Sequence, residues 1–96
     1  IEAKKGSQTI KAQKDITIDA GSKITLKCGQ ASITLKKSGK IEIKGMNIDI
    51  EGTQNVKVKG MNVTSEAQMK NEIKGVMINS KASGVNTVKG SLTKIG

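Results

Sequence analysis

The chain has 96 residues, of which 17 are lysine, none is arginine and 8 are acidic, giving a net charge of +9 with no aromatic residue, no proline and no histidine. Without histidine no Cys–His nucleophilic pair exists, and without aromatics or arginine there is nothing to stack on a base or to grip guanine or phosphate in bidentate fashion. The single cysteine, Cys28, excludes an intrachain disulfide and reads as a small residue tolerated in a strand or turn.

One domain spanning 1–96 is the expectation for this length. The chain begins at Ile1, and its first residues already resemble the repeat described below, so the segment reads as part of a longer protein. No apolar run approaches the ~20 residues of a membrane-spanning helix, and no signal peptide is visible.

From residue 16 onward, aliphatic pairs separated by one residue recur: Ile16/Ile18, Ile24/Leu26, Ile33/Leu35, Ile41/Ile43, Ile48/Ile50 and Val56/Val58. Their first members step by 8, 9, 8, 7 and 8 residues, a period of eight with one-residue slips. Val63 continues the series, with Ser65 in place of its partner. The residue inside each pair is polar (Thr17, Thr25, Thr34, Glu42, Asp49, Lys57, Thr64), so each unit holds a short strand with one apolar face. Ile and Val at the apolar positions also favour strand.

Gly21, Gly29, Gly45, Gly52 and Gly60 follow the pairs by two or three residues, and Gly39 by four. Glycine there suits a corner with positive φ or a close backbone approach, and its neighbours Asp19, Ser22, Gln30, Ser38 and Asn47 suit turns. A helix is excluded twice over. Each of the 11 glycines would cost about 1 kcal/mol relative to alanine in a helix interior, and the apolar spacing is two then six.

One strand and one corner per eight residues describes an all-β solenoid or β-helix. The six-residue step of single-chain β-helices does not match. The large apolar residues amount to 13 Ile, 6 Val, 3 Leu and 4 Met. At roughly 1.5–3 kcal/mol per buried aliphatic, against about 1–2 kcal/mol of backbone entropy per residue, a lone chain runs short of core. Several chains wound on one axis would bury the pairs against their symmetry mates and remove the sheet edges. The count itself leaves two or three chains open.

The strings Ile-Thr-Ile-Asp-Ala-Gly (16–21), Ile-Thr-Leu-Lys-Cys-Gly (24–29), Ile-Glu-Ile-Lys-Gly (41–45), Ile-Asp-Ile-Glu-Gly (48–52) and Val-Lys-Val-Lys-Gly (56–60) resemble the C-terminal β-helical spike of the valine–glycine repeat (VgrG) family of type VI secretion. That spike is similar to the central spike of contractile phage tails. The resemblance implies an intertwined homotrimeric β-helix, a triangular β-prism with octad repeats. Its core would be formed by Ile16, Ile18, Ile24, Leu26, Ile33, Leu35, Ile41, Ile43, Ile48, Ile50, Val56, Val58, Val63 and Ile73. It also implies a structural, non-catalytic needle, assembled in the bacterial cytoplasm and then injected across a target envelope. A proline-alanine-alanine-arginine (PAAR) repeat protein, sometimes with effectors, would sit on its C-terminal end. Residues 88–95 resemble the family's end-of-spike segment, so the tip falls at about 85–96 and the partner contact on Gly90, Ser91, Leu92, Thr93, Lys94, Ile95 and Gly96.

The pattern falters over 65–71 and resumes at Ile73. A looser stretch of prism filled by Met69 is one reading; an ion, water or lipid in the lumen is the other. No cofactor is otherwise implied, and no metal site. Met46 and Met61, each after a glycine, suit corner packing.

Two other functions fit parts of the sequence. The +9 charge suits a basic, polyanion-binding or adhesive β-solenoid, although the lysines are evenly spread and nucleic acid is not the expected partner. Glycan-cleaving enzymes on β-helices need two carboxylates at a set separation. Here the acids Glu2, Asp15, Asp19, Glu42, Asp49, Glu51, Glu66 and Glu72 are scattered, most of them among lysines.

Overall fold

A computed structural model of the chain describes residues 6–96; Glu2 and the start of the repeat at Ile1 lie outside the described residues. The described residues are all-β, with three strands and no helix: β1 (Lys23–Cys28), β2 (Ala31–Lys36) and β3 (Ile41–Lys44). They form one antiparallel sheet in the order β1-β2-β3.

The turns follow from the sequence. Cys28 pairs with Ala31, so Gly29 and Gln30 are a two-residue hairpin loop. Gly29 has φ +56 and Gln30 is not in the positive-φ region. A two-residue loop with positive φ at its first central residue alone is the type II′ pattern, which twists in the same sense as the strands it joins.

Between β2 and β3 the loop is Lys37, Ser38 and Gly39. Gly39 N–H donates to the Lys36 carbonyl (2.9 Å), Lys36 N–H donates to the Lys40 carbonyl (3.0 Å), and Gly39 has φ +95. This is a three-residue hairpin closed by a left-handed glycine. The first ladder runs one step beyond β1, where Lys37 N–H donates to the Ser22 carbonyl at 3.0 Å.

Register and pleat together decide where the aliphatics go. Ile24 lies opposite Leu35, which lies opposite Ile41; Leu26 lies opposite Ile33, which lies opposite Ile43. Successive side chains alternate between faces, so these two rows of three share one face. The other face carries Thr25, Thr34 and Glu42 in one row and Lys27, Ser32 and Lys44 in the next.

The chain divides into two units, Ile1–Val56 and Lys57–Gly96. The sheet belongs to the first. Among the described residues of the second there is no strand, and no described residue of either unit is buried.

The octad pattern predicts a strand in every unit, paired with strands of neighbouring chains. In the single chain, three octads pair with one another through hairpins. The remaining aliphatic pairs, Ile16/Ile18, Ile48/Ile50, Val56/Val58 and the positions Val63 and Ile73, lie outside any assigned strand.

Candidate interaction face

The apolar face of the sheet is the most concentrated chemical feature of the molecule. Its aliphatic side chains remain largely exposed. Even Ile33 and Leu35, on the central strand, are 41% and 37% exposed, and the flanking Leu26, Ile41 and Ile43 are more so. Only Ile24 is half-buried. At the end of the sheet near the first hairpin the backbone past β3 curls over the same face, and Ile48 joins Leu26, Ile33 and Ile43 around an open concavity of about 660 Å³. The structure thus brings seven of the expected core residues together and leaves the other seven (Ile16, Ile18, Ile50, Val56, Val58, Val63, Ile73) on exposed backbone outside the sheet.

The opposite face is polar and cationic. Lys23 and Lys36 sit directly across from one another, an arrangement that disfavours the pair unless an anion intervenes. Glu42 supplies it. Its carboxylate lies 3.5 Å from both Lys36 Nζ and Lys40 Nζ. The Lys36 charge, then that of Lys40, holds the Glu42 carboxyl below its ordinary value. The second unit repeats this motif, with Glu72 held 3.6 Å from both Lys70 and Lys74.

The corners beyond the sheet are of a different kind. At Gly45, Gly60, Gly75 and Gly90 φ is not positive, but a Cβ would meet the carbonyl oxygen two residues on at 3.4, 3.3, 3.2 and 3.3 Å. Gly52 is tighter: a Cβ would run into the Asn55 carbonyl and lie 2.9 Å from Val56 Cγ2. The expectation that glycine serves positive φ or close approach is met in both forms, the first at Gly29 and Gly39 and the second at Gly45, Gly52 and Gly60. Gly21 shows neither.

Four equivalent glycines fifteen residues apart expose a longer repeat that an octad count hides. From residue 41 the pairs begin at 41, 48, 56, 63, 71, 78, 86 and 93, steps of 7 and 8 in strict alternation. The interval 65–71 is therefore not a break in phase. Asn71 Nδ2 donates to Ser65 Oγ at 2.9 Å, and fifteen residues later Asn86 Nδ2 donates to Ser80 Oγ at 3.0 Å.

The methionines expected to fill corners and the interval do not do so within one chain: Met46, Met61 and Met69 are 79%, 100% and 98% exposed. Cys28 is exposed at the end of β1. The expected tip residues Gly90 to Gly96 form no strand, and Leu92 and Ile95 point into solvent. Among the described residues no three His, Cys, Asp or Glu side chains gather into a metal-sized group.

Comparison with family models, with curated proteins and with solved structures finds no match to this chain.

Proposed function

We propose that the chain is a segment of a self-associating β-structured rod, a homotrimeric β-helical spike of the VgrG kind. Its work is mechanical: a stiff needle of a contractile injection machine that carries a PAAR-repeat protein on residues 90–96. The observation that carries this reading is a regular apolar face that stays exposed among the described residues. Monomeric proteins rarely leave contiguous apolar patches beyond a few hundred Å².

Three copies placing their aliphatic pairs on a common axis would bury that face and pair the free backbone of the octads outside β1–β3. Residues 23–44 satisfy the same alternation either as the hairpins seen in the single chain or as strands laid against other copies.

Multi-angle light scattering tests the core of the reading. The expected mass is three times that of the chain, with one cooperative unfolding transition at high temperature. A folded, soluble monomer at micromolar concentration overturns it. The tip assignment is tested separately by capture of the matching PAAR-repeat protein, retained by the full chain and lost on truncation before Gly90.

A second reading has one specific observation in its favour: pleat and register place Lys23, Lys27, Lys36 and Lys44 on one sheet face, a gathering not evident from their even spacing in sequence. A polyanion-binding or adhesive rod would use that face. Its affinity would fall steeply with salt, by about 0.9 log units per log unit of salt for each phosphate contacted. Salt-independent binding removes it.

A further inference from the structure

We propose that the Ser65/Asn71 and Ser80/Asn86 pairs are polar register locks between copies of this chain; the inference rests on the self-association proposed above and goes beyond it to what fixes the alignment of the copies. The pairs at 41/43, 48/50 and 56/58 are aliphatic at both members. From 63 onward each has one polar member: Ser65 beside Val63, Asn71 beside Ile73, Ser80 beside Ile78, Asn86 beside Val88, Thr93 beside Ile95. One repeat earlier, the places of Ser65 and Asn71 are held by Ile50 and Val56. The polar residues thus occupy columns that are apolar in the preceding repeat. They do so in hydrogen-bonded partnership, with the same six-residue separation and nearly the same distance twice over. Solvent-facing substitutions would have no cause to recur as bonded pairs at a fixed interval.

A uniform aliphatic repeat has a physical defect. Chains can slide past one another by one unit, or by fifteen residues, and still lay aliphatic on aliphatic; register is weakly specified wherever the pattern repeats without interruption. A polar pair in the seam removes the degeneracy. In register, like layers meet, and the Asn71 and Asn86 carbonyl oxygens, which accept no hydrogen bond among the described residues, face donors of the neighbouring copies. Slipped by one unit, Asn71 would lie in line with Val63 or Ile78, and Asn86 with Ile78 or Thr93, at roughly 1–3 kcal/mol for each polar group left unsatisfied. Slipped by fifteen residues, Ile50 and Val56 would face Ser65 and Asn71. A buried polar residue that fixes register at some expense of stability is a known device in coiled coils.

The test uses the full chain in a Cys28→Ser background with a nitroxide on Lys81→Cys, read by pulsed dipolar spectroscopy. The wild-type layers give one narrow inter-copy distance. The N71V/N86V variant, which restores the residue found at position 56, keeps its stoichiometry and unfolds at a higher temperature. Its distance distribution splits into several populations. S65I/S80I, which restores the residue found at position 50, is the second arm and gives the same splitting. An unchanged narrow distance in a trimeric variant overturns the register role, as does loss of assembly in both variants. A wild-type chain that remains monomeric overturns the trimer, and the register role with it.

Discussion

Residues 23–44 and residues 45–58 carry the same binary pattern and behave differently. In the first stretch the aliphatic pairs lie in a hydrogen-bonded antiparallel sheet; in the second they lie outside any assigned strand. Hydrophobic periodicity cannot explain the contrast, because Ile41/Ile43 and Ile48/Ile50 are equivalent in pattern. The corners explain it. Gly29 and Gly39 adopt positive φ in two- and three-residue loops that fold the chain back on itself. At Gly45, Gly60, Gly75 and Gly90 φ is not positive, and the following carbonyl approaches the glycine closely instead. Such a corner redirects the chain without returning it to its own ladder. Turn chemistry, rather than strand composition, separates the self-paired stretch from the stretch without assigned strands.

The largest effect should come from a charge on the shared apolar face. Ile41→Asp would set like charges together in a dry seam, a desolvation penalty that no partner offsets. The assembly should be lost altogether in light scattering. Retention of the native stoichiometry would show that Ile41 does not face the other copies.

Next are the corners. Gly52→Ala forces a Cβ onto the Asn55 carbonyl and against Val56 Cγ2. Backbone must move, and overpacking of this kind costs about 1–3 kcal/mol. The equivalent positions one and two repeats later already hold Ala67 and Ala82, so Ala67→Gly should change stability far less. Equal effects on the thermal midpoint would remove the distinction between these corners. Gly29→Val attacks the other kind of corner. A β-branched residue in the left-handed region costs roughly 1–2 kcal/mol, and the loss should appear as faster amide exchange in β1 and β2 while exchange in residues 57–96 is unchanged. Uniform acceleration along the chain would mean that the hairpins and the later corners are not separable.

Much of the sheet was legible because strand alternation is a local property. Ile24, Leu26, Ile33, Leu35, Ile41 and Ile43 were assigned to one apolar face from spacing alone, and register puts them there. The hairpin connectivity was less legible. A period of eight says that the chain turns, not which way; that information lay in Gly at the first of two loop positions and in Lys-Ser-Gly. The interval 65–71 is less legible for a related reason. Counting octads averages steps of 7 and 8, and with Ser65 and Asn71 in place of aliphatics the series falters. The close approach at four glycines, together with two matching Ser/Asn bonds, restores the phase.

The smallest effect concerns the polar face, where the two regions are alike. Glu42 lies between Lys36 and Lys40, and Glu72 between Lys70 and Lys74. The Glu42 carboxyl is held below its ordinary value of 4.5, first by the Lys36 charge and then by that of Lys40. A carboxylate depressed in the folded state contributes stability that is fully present above the unfolded value and lost as pH falls through the folded one. The gap in thermal midpoint between wild type and Glu42→Gln should therefore hold at neutral pH and close as pH drops below 4.5. These partners are partly exposed, so the gap should be small and shrink in high salt. A gap that survives at acid pH would assign the role of Glu42 to packing beside Thr34, its cross-strand neighbour, rather than to its charge.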